Sequence, residues 1–223
     1  MERATALPAD VRVDTSARPF PPLYRVLRES LGPAIERFFS LSVDGLEHLP
    51  TEGPYILAAN HHNYLDGVVL GIAVPQPIAF LVMPRVYRAT PLHPPFHTRV
   101  GSIPIALERA DVGALRRALG VLERRGVVGI FPEGPFSVRG RLERGLPGVA
   151  LLALRSTVPV VPAGIRGTYE ALVGRRCYIP RRHPVTVRFG PGRLFSAAEA
   201  RGGRAGRARV TERIMDDIAA LLR

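Results

Sequence analysis

Short apolar runs alternate with amphipathic segments along most of this chain, and this alternation is the feature that most limits how it can fold. Such an alternation is typical of β/α units built around a mostly parallel sheet. The sequence therefore predicts an α/β fold, with a mostly parallel sheet flanked by helices. The predicted strands are residues 55–59, 78–83, 102–106, 127–131, 158–163 and 185–189, and the predicted helices are residues 67–74, 114–124, 149–155 and 210–222.

Two segments precede this main region. Residues 1–20 are polar and have no steady period, which predicts a loose N-terminal arm. Residues 21–40 carry an apolar stripe at helical spacing, opposite arginine and glutamate side chains, which predicts an amphipathic helix that Pro33 kinks or divides. This helix can pack on its own domain, lie on a membrane, or do both with different faces. Residues 41–223 are expected to form the main domain.

The charge of the chain is strongly positive. All 31 basic residues are arginine, against 19 acidic residues, for a formal net charge of +12. The lack of lysine excludes Walker-type NTPases and pyridoxal phosphate enzymes, which need a lysine for their chemistry. The charge predicts an anionic partner: a phosphorylated substrate, an acidic carrier protein, a membrane surface or nucleic acid. A flexible basic connector is expected before the last helix, formed by Arg201, Arg204, Arg207 and Arg209.

Cysteine usage and apolar runs bear on the location of the protein. Cys177 is the only cysteine, which excludes an intramolecular disulfide or a multi-cysteine metal site and agrees with a reducing compartment. The first twenty residues lack the apolar core of a secretory signal. The longest apolar stretch, residues 67–83, is interrupted by Pro75 and Pro77 and is too short to span a bilayer. We therefore expect a cytoplasmic protein with no spanning segment.

Polar residues follow the predicted strand 55–59 directly, in the sequence NHHNYLD of residues 60–66. Sites in α/β folds lie where a strand meets a helix. His61 and Asp66 would lie about 140° apart on a continuous helix, so they can meet only if the chain bends between them. We expect a loop, with Asp66 at the start of the next helix. Asp66 can then hold one ring nitrogen of His61 and leave the other as a general base.

Two other interpretations of this segment stay open. A histidine followed five positions later by an aspartate can arise by chance, and His61, His62 and Asp66 can instead be read as metal ligands. The chain lacks a G-x-S-x-G nucleophile motif at this pair, so the mechanism that suits a general base here is direct attack by a substrate hydroxyl.

A second polar turn follows the predicted strand 127–131, in the sequence GIFPEGPFS of residues 129–137. Gly134 frees the backbone to approach a ligand, and Glu133 can bind a substrate hydroxyl or orient basic groups. Taken alone, the segment can also be an ordinary turn with a solvated glutamate.

Three blocks occur in a fixed order: NHHNYLD at 60–66, IFPEG at 130–134 and VPVVPAGIRG at 158–167. Together they resemble the His-x4-Asp glycerolipid acyltransferases, the family that contains the 1-acyl-glycerol-3-phosphate acyltransferases, over roughly residues 38–194. The resemblance implies that residues 41–223 form an acyltransferase domain in which His61 is the base and Asp66 orients it. It also implies acyl-CoA or acyl carrier protein as co-substrate, with no metal and no further cofactor.

The resemblance further implies a set of substrate-binding residues. Glu133 and Gly134 match the turn linked to the acceptor, Pro162 matches the block linked to the acyl donor, and Arg85 stands where the family usually has a lysine. The full predicted set is Asn60, Arg85, Gly101, Arg109, Glu133, Gly134, Arg139 and Pro162.

Two departures from the family pattern affect the expected phosphate contact. In GSIPIALER, at residues 101–109, Arg109 comes about two residues late and can instead begin the solvated face of a helix. Pro135, Phe136 and Ser137 replace the Thr-Arg-Ser of many members, so the phosphate contact would pass to Arg139 or Arg141. Arg139 can equally be a surface loop residue.

The predicted function is O-acyl transfer from an acyl thioester to the hydroxyl of a lysophospholipid, in particular 1-acyl-glycerol-3-phosphate, in phospholipid synthesis. The expected place is the inner face of an anionic membrane, with the protein bound peripherally. An alternative is a member of the same family that acylates another lipid or a glycolipid alcohol. A distant alternative is a basic nucleic-acid-binding module, but aromatic residues are only 7% and no such motif appears, so no nucleic acid is expected.

Overall fold

The computed structural model describes residues 21–105, 111–172, 179–196, 198–199, 201 and 203–223. The strands in this part of the chain are β1 (Ser42–Asp44), β2 (Tyr55–Ala59), β3 (Ile78–Val82), β4 (Ile103–Pro104), β5 (Val127–Ile130), β6 (Val160–Arg166) and β7 (Thr186–Phe189). The helices are α1 (Pro22–Phe39), α2 (Tyr64–Ala73), α3 (Pro84–Tyr87), α4 (His93–Arg99), α5 (Val112–Glu123), α6 (Gly148–Ser156), α7 (Thr168–Ala171) and α8 (Arg204–Leu221), with a short 3-10 turn at Leu46–His48.

The strands form one sheet in the order β1-β7-β6-β2-β5-β3-β4. Neighbouring strands are parallel except for the antiparallel pair β6 and β7. The predicted mostly parallel sheet is therefore confirmed. The parallel strands β6, β2, β5 and β3 end at the same edge, so the residues that follow them are brought together there.

Helices cover both faces of the sheet. The strand β2 is fully buried, and its alternate side chains enter two different hydrophobic clusters, one on each face. Tyr55 and Leu57 pack in one cluster with residues of α2 and the C-terminal residue of α1. Ile56 and Ala58 pack in the other cluster with residues of α5, α6 and α8. This arrangement follows from the period of two residues that side chains have along a strand.

Two features of the helices differ from the expectations. Of the two expected effects of Pro33, division of α1 is excluded, because α1 is continuous. The carbonyl of Glu29, which Pro33 cannot bond, belongs to an exposed residue and can bind water instead. The second difference concerns the expected connector, because Arg204, Arg207 and Arg209 lie inside α8. The alanines between these arginines favour a helix, which begins before its apolar stripe.

One face of α1 packs on α2. The Tyr24 hydroxyl donates a hydrogen bond to the carbonyl of Gly71 at 3.3 Å, and the Arg28 guanidinium donates to the carbonyls of Ile72 and Pro75, both at 3.1 Å. Burial raises the pKa of Tyr24 to about 12. The last carbonyl groups of a helix have no hydrogen-bond partner within the helix. Arg28 supplies such a partner at the C-terminal end of α2. Packing of the N-terminal helix on its own domain is thus confirmed for this face.

Several other side chains of α1 are exposed, and they are both apolar and basic. Val26, Leu31 and Phe38 are between 37% and 54% exposed, and Arg25 and Arg37 are also exposed. Within the described residues, no helix has both the length and the apolar character needed to cross a bilayer. The predicted arm at residues 1–20 lies outside the described part of the chain.

Candidate active site

His61 and Asp66 meet at the carboxyl end of β2. The distance between His61 Nδ1 and Asp66 Oδ2 is 2.8 Å. Both side chains are buried, with exposed fractions of 8% for His61 and 0% for Asp66. The expected bend between them is present, but Asp66 does not begin the helix. The helix α2 begins at Tyr64, after Asn63, which caps it.

A capping box at the start of α2 holds the Asp66 carboxylate. The Asn63 side chain accepts a hydrogen bond from the backbone N–H of Leu65 at 2.9 Å. Asp66 Oδ2 accepts from the backbone N–H groups of His62 and Asn63, at 2.6 and 2.7 Å, in addition to the His61 ring. An ionised carboxylate only accepts hydrogen bonds, so Nδ1 of His61 donates and Nε2 keeps its lone pair. This arrangement suits a general base.

Aromatic rings surround the imidazole of His61. The ring of Phe131 is stacked on it, with centroids 3.7 Å apart and an angle of 6° between the planes. Phe136 contacts it edge-on at 4.4 Å, and Tyr64 contacts Phe136 edge-on at 4.8 Å. The base therefore lies in a largely apolar setting.

The carboxylate of Glu133 accepts hydrogen bonds from the backbone on either side of this site. Its Oε1 accepts from the backbone N–H of His61 and its Oε2 from the backbone N–H of Glu143, each at 2.7 Å. The backbone N–H of Ser137 in turn donates to the carbonyl of His61 at 2.8 Å. Burial raises the pKa of Glu133 to about 7, although these backbone hydrogen bonds act in the opposite direction. Both oxygens thus hold the loop that carries His61.

A cavity of about 410 Å³ lies in the loop that follows β5, and its lining includes Phe136, which contacts the His61 ring. Gly134 turns the chain in the same loop with a φ of +78°, and a Cβ there would lie 2.7 Å from Leu146. Arg139 is exposed and is the one basic residue of the lining, beside the carboxylates of Glu133 and Glu143. The lining residues are Glu133, Pro135, Phe136, Ser137, Val138, Arg139 and Glu143.

Two of the predicted substrate-binding residues are buried in the sheet instead. The side chain of Asn60 is fully buried, and its amide accepts from the backbone N–H of Ile165 at 2.7 Å and donates to the carbonyl of Ile165 at 2.8 Å. Pro162 is buried in β6, paired with Ala58 of β2. Asn60 therefore joins β2 to β6 and Pro162 belongs to the core, and substrate contact by either residue stays a prediction.

The remaining predicted residues have different positions. Arg85 is exposed in α3, just after β3 and at the same edge of the sheet as His61. Gly101 is not brought to His61: it turns the chain with a φ of +80° before β4, whereas the site residues follow the ends of their strands. Arg109 lies outside the described residues, so its phosphate contact stays a prediction.

Thr168 supports the site, although it belongs to none of the three sequence blocks. Thr168 is fully buried, its carbonyl accepts from the Asn63 side chain at 2.7 Å, and its hydroxyl lies 3.4 Å from Nδ1 of His62. A usable signal was its place directly after the VPVVPAGIRG block, at the end of the strand next to β2.

The interpretation of His61, His62 and Asp66 as metal ligands does not fit this geometry. The Nδ1 atom of His61 faces Asp66 and that of His62 faces Thr168, so the two rings have different partners. Burial lowers the pKa of His62. Over the described ranges, no cluster of three or more His, Cys, Asp or Glu side chains is arranged to hold a metal ion.

Comparison with known proteins gives a consistent picture. A family model described as Acyltransferase matches residues 40–166, which include His61, Asp66 and Glu133. A chloroplastic 1-acyl-sn-glycerol-3-phosphate acyltransferase of Brassica napus is 29% identical over 138 residues, which cover 60% of this chain and 40% of that protein. The 1-acyl-sn-glycerol-3-phosphate acyltransferase of Bacillus subtilis is 22% identical over 149 residues, covering 65% of this chain and 72% of the relative.

A solved structure shares the fold. The crystal structure of PlsC from Thermotoga maritima, a 1-acyl-sn-glycerophosphate acyltransferase, matches with a TM-score of 0.64 and 22% sequence identity. The match covers 88% of this chain and 82% of the other. The plant relatives are longer: the chain spans about two fifths of their length, 40% for the Brassica protein and 38% for its Arabidopsis thaliana counterpart.

The raised pKa of Glu133 predicts a pH-dependent contribution to stability. This carboxyl ionises near pH 4.5 in the unfolded chain and near pH 7 in the folded protein. Between these values the unfolded state binds fewer protons, so the free energy of unfolding falls as pH rises. The free energy of unfolding of the wild type minus that of Glu133→Gln should therefore fall up to a pH of about 7 and stay level above it.

Urea denaturation at a series of pH values from about 5 to about 8 measures this difference. Glutamine keeps one acceptor oxygen and so leaves one of the two backbone N–H groups without its partner, which lowers stability by an amount that does not vary with pH. A difference that is level across the whole series would show that the Glu133 carboxyl is already ionised in the folded protein.

Proposed function

This chain belongs to the acyltransferase family, and from that premise we propose that it moves a fatty acyl group from an acyl thioester to the hydroxyl group of a lysophospholipid. The observation that carries the proposal is the 2.8 Å contact between His61 Nδ1 and Asp66, which leaves Nε2 as a base. Relatives from plants and from Bacillus subtilis are described as 1-acyl-sn-glycerol-3-phosphate acyltransferases, which favours that lysophospholipid as acceptor. The reaction belongs to phospholipid synthesis.

The proposed mechanism uses His61 twice. Nε2 takes the proton of the acceptor hydroxyl as its oxygen attacks the thioester carbonyl, and Asp66 stabilises the imidazolium that forms. The tetrahedral intermediate then breaks its carbon–sulfur bond, and the leaving thiolate takes the proton back from His61. The donor thiol is that of coenzyme A or of an acyl carrier protein. The chain needs no nucleophile of its own, since the acceptor oxygen attacks directly.

Loss of either member of the pair should stop most acyl transfer. His61→Ala removes the base and should reduce kcat by about 10² to 10⁴. Asp66→Asn keeps an acceptor oxygen for the backbone N–H groups at the start of α2. It no longer stabilises the imidazolium, so it should also lower kcat. The matched control is His48→Ala, which removes a partly exposed histidine in the 3-10 turn Leu46–His48. Steady-state transfer of a labelled acyl group measures all three.

Thermal unfolding by circular dichroism shows whether each of these variants is folded. Folded His61→Ala protein with near-normal transfer would rule out the mechanism.

One arginine, among lining residues that also include Glu133 and Glu143, supports a phosphorylated acceptor. Arg139 lies on the same loop as Glu133 and is exposed at the cavity in that loop. An arginine can bind a phosphate through two hydrogen bonds, which would also fix the acceptor hydroxyl near Nε2. Arg139 would therefore substitute for the arginine of the Thr-Arg-Ser that follows the Pro-Glu-Gly turn in many family members.

Arg139→Gln should lower kcat/KM for lysophosphatidic acid about tenfold, the effect of losing a charge-assisted contact of about 1.5 kcal/mol. Use of monoacylglycerol, which lacks the phosphate, should hardly change. Arg155→Gln, which removes an exposed arginine from α6, is the matched control. Equal losses with both acceptors, or a wild type that prefers monoacylglycerol, would contradict the phosphate contact and point to Pro135 and Phe136 as specificity determinants.

We place the protein peripherally at the inner face of an anionic membrane, and exposed side chains of α1 support binding to such a surface. Val26, Leu31 and Phe38 offer apolar contacts, and Arg25 and Arg37 offer charge. Two further exposed apolar side chains lie at the neighbouring helix α4: its N-cap residue Leu92 at 77% and Phe96 at 42%. Apolar residues beside arginines are typical of helices that lie at a lipid surface. The acyl chains of the proposed substrates would be drawn from that surface.

Replacing Arg25 and Arg37 together by glutamine should weaken binding to anionic vesicles, by up to about thirtyfold at about 1 kcal/mol per arginine. Arg28 is left in place because it bonds the end of α2. The control variant, with Arg116 of α5 and its C-cap residue Arg124 replaced by glutamine, has the same net charge and loses exposed arginines elsewhere. Co-sedimentation at low and high salt measures the binding. Equal binding by the two double variants would assign the attraction to net charge alone.

A further inference from the structure

Three aromatic rings form a continuous stack that ends on the base. The imidazole of His61 lies 3.7 Å from Phe131 with 6° between the planes, and Phe131 lies 5.7 Å from Phe80 with 4° between the planes. Phe80 belongs to β3, and Phe131 directly follows β5. Both rings pack against the hydrophobic cluster that includes Tyr55 and Leu57 of β2. The stack therefore connects the imidazole to the rigid centre of the sheet.

The sequence around β5 makes room for this stack. Gly129 pairs with Phe80 across β3 and β5, and a Cβ on Gly129 would lie 2.5 Å from the Phe80 ring. Only glycine leaves that space free. The ring of Phe80 can thus lie over the backbone of β5, parallel to Phe131 two residues further on. The position of Phe131 is fixed from behind by a neighbouring strand.

Asp66 alone leaves one freedom of the imidazole unrestricted. A hydrogen bond at Nδ1 fixes the tautomer, but it tolerates a range of angles, so a small rotation about the Cα–Cβ and Cβ–Cγ bonds of His61 can still tilt the ring plane. That rotation moves Nε2, the atom that must face the acceptor hydroxyl. A displacement of about 1 Å at a reacting atom can cost about 10² in rate. A flat ring stacked at 3.7 Å restricts this rotation.

We propose that Phe131 is a positioning residue, which holds the imidazole plane of His61 so that Nε2 faces the acceptor hydroxyl. The proposal rests on the proposed function, in which His61 is the base. Phe131 itself touches neither the substrate nor the transferred proton. Its effect should therefore appear in kcat, while KM for donor and acceptor stays nearly unchanged.

Ring-current shifts in NMR spectra test the stack without any reaction. Protons of an imidazole stacked face to face on a phenyl ring are shifted upfield, and loss of the His61 signals in His61→Ala assigns them. Phe131→Leu should remove this upfield shift, and Phe131→Tyr, which keeps a flat ring, should retain it. A shift that is unchanged in Phe131→Leu would overturn the proposal.

Kinetics of the same variants test the consequence for catalysis. Phe131→Leu should lower kcat with acyl-CoA and lysophosphatidic acid by about 10- to 100-fold, and Phe131→Tyr should restore most of it. Phe195→Leu is the matched control, because Phe195 is buried in the opposite hydrophobic cluster and loses packing without touching the site. Its kcat should stay at the wild-type value. If Phe131→Leu does not fold, Phe131→Met, which fills the space with an unbranched chain, replaces it.

The two measurements separate the inference from the function on which it rests. Loss of the ring-current shift with a wild-type kcat in Phe131→Leu would overturn the positioning role while leaving the acyltransferase function intact. Absence of transfer by the wild type to any acceptor would overturn the proposed function and the positioning role together, and the NMR spectra would then describe the stack alone.

Discussion

The Oδ2 atom of Asp66 is the point on which the candidate site depends. It is buried and accepts three hydrogen bonds: from the His61 ring and from the backbone N–H groups of His62 and Asn63. One carboxylate oxygen thus caps α2, closes the bend after β2 and sets the tautomer of the imidazole. Because the same contacts serve folding and chemistry, removal of Asp66 would leave three donors without a partner as well as a misdirected base.

Two further buried side chains hold the bend from either side. Asn60 bonds the backbone of Ile165 in β6, and Glu133, after β5, bonds the backbone of His61. Since β6, β2 and β5 are neighbours in the sheet, the residue that carries the base is joined to three strands. Such support suits a group that must be placed to within a fraction of an ångström. The two hydrogen bonds that Glu133 accepts from backbone N–H groups also explain why a buried carboxylate occurs in a loop that lines a cavity.

The sheet was predictable from the sequence because it depends on local patterns of apolar residues. The run that forms β2 is followed at once by polar residues, so the spacing allowed His61 and Asp66 to meet, but the family resemblance was needed to favour this over a chance match or a metal site. A family resemblance identifies a residue type and not the direction of its side chain, so the burial of Asn60 and Pro162 could not be predicted from it. The stack of Phe131 on His61 joins residues seventy positions apart, and only the paired strands bring them together.

In the proposed reaction, His61 and Asp66 direct an acyl group to an acceptor hydroxyl instead of to water. Incubation of the wild-type protein with a labelled acyl thioester and a panel of lyso-acceptors, followed by mass spectrometry of the products, tests this. We expect phosphatidic acid from lysophosphatidic acid, with one labelled acyl chain for each thiol released. Release of the thiol with free fatty acid as the only labelled product would contradict it.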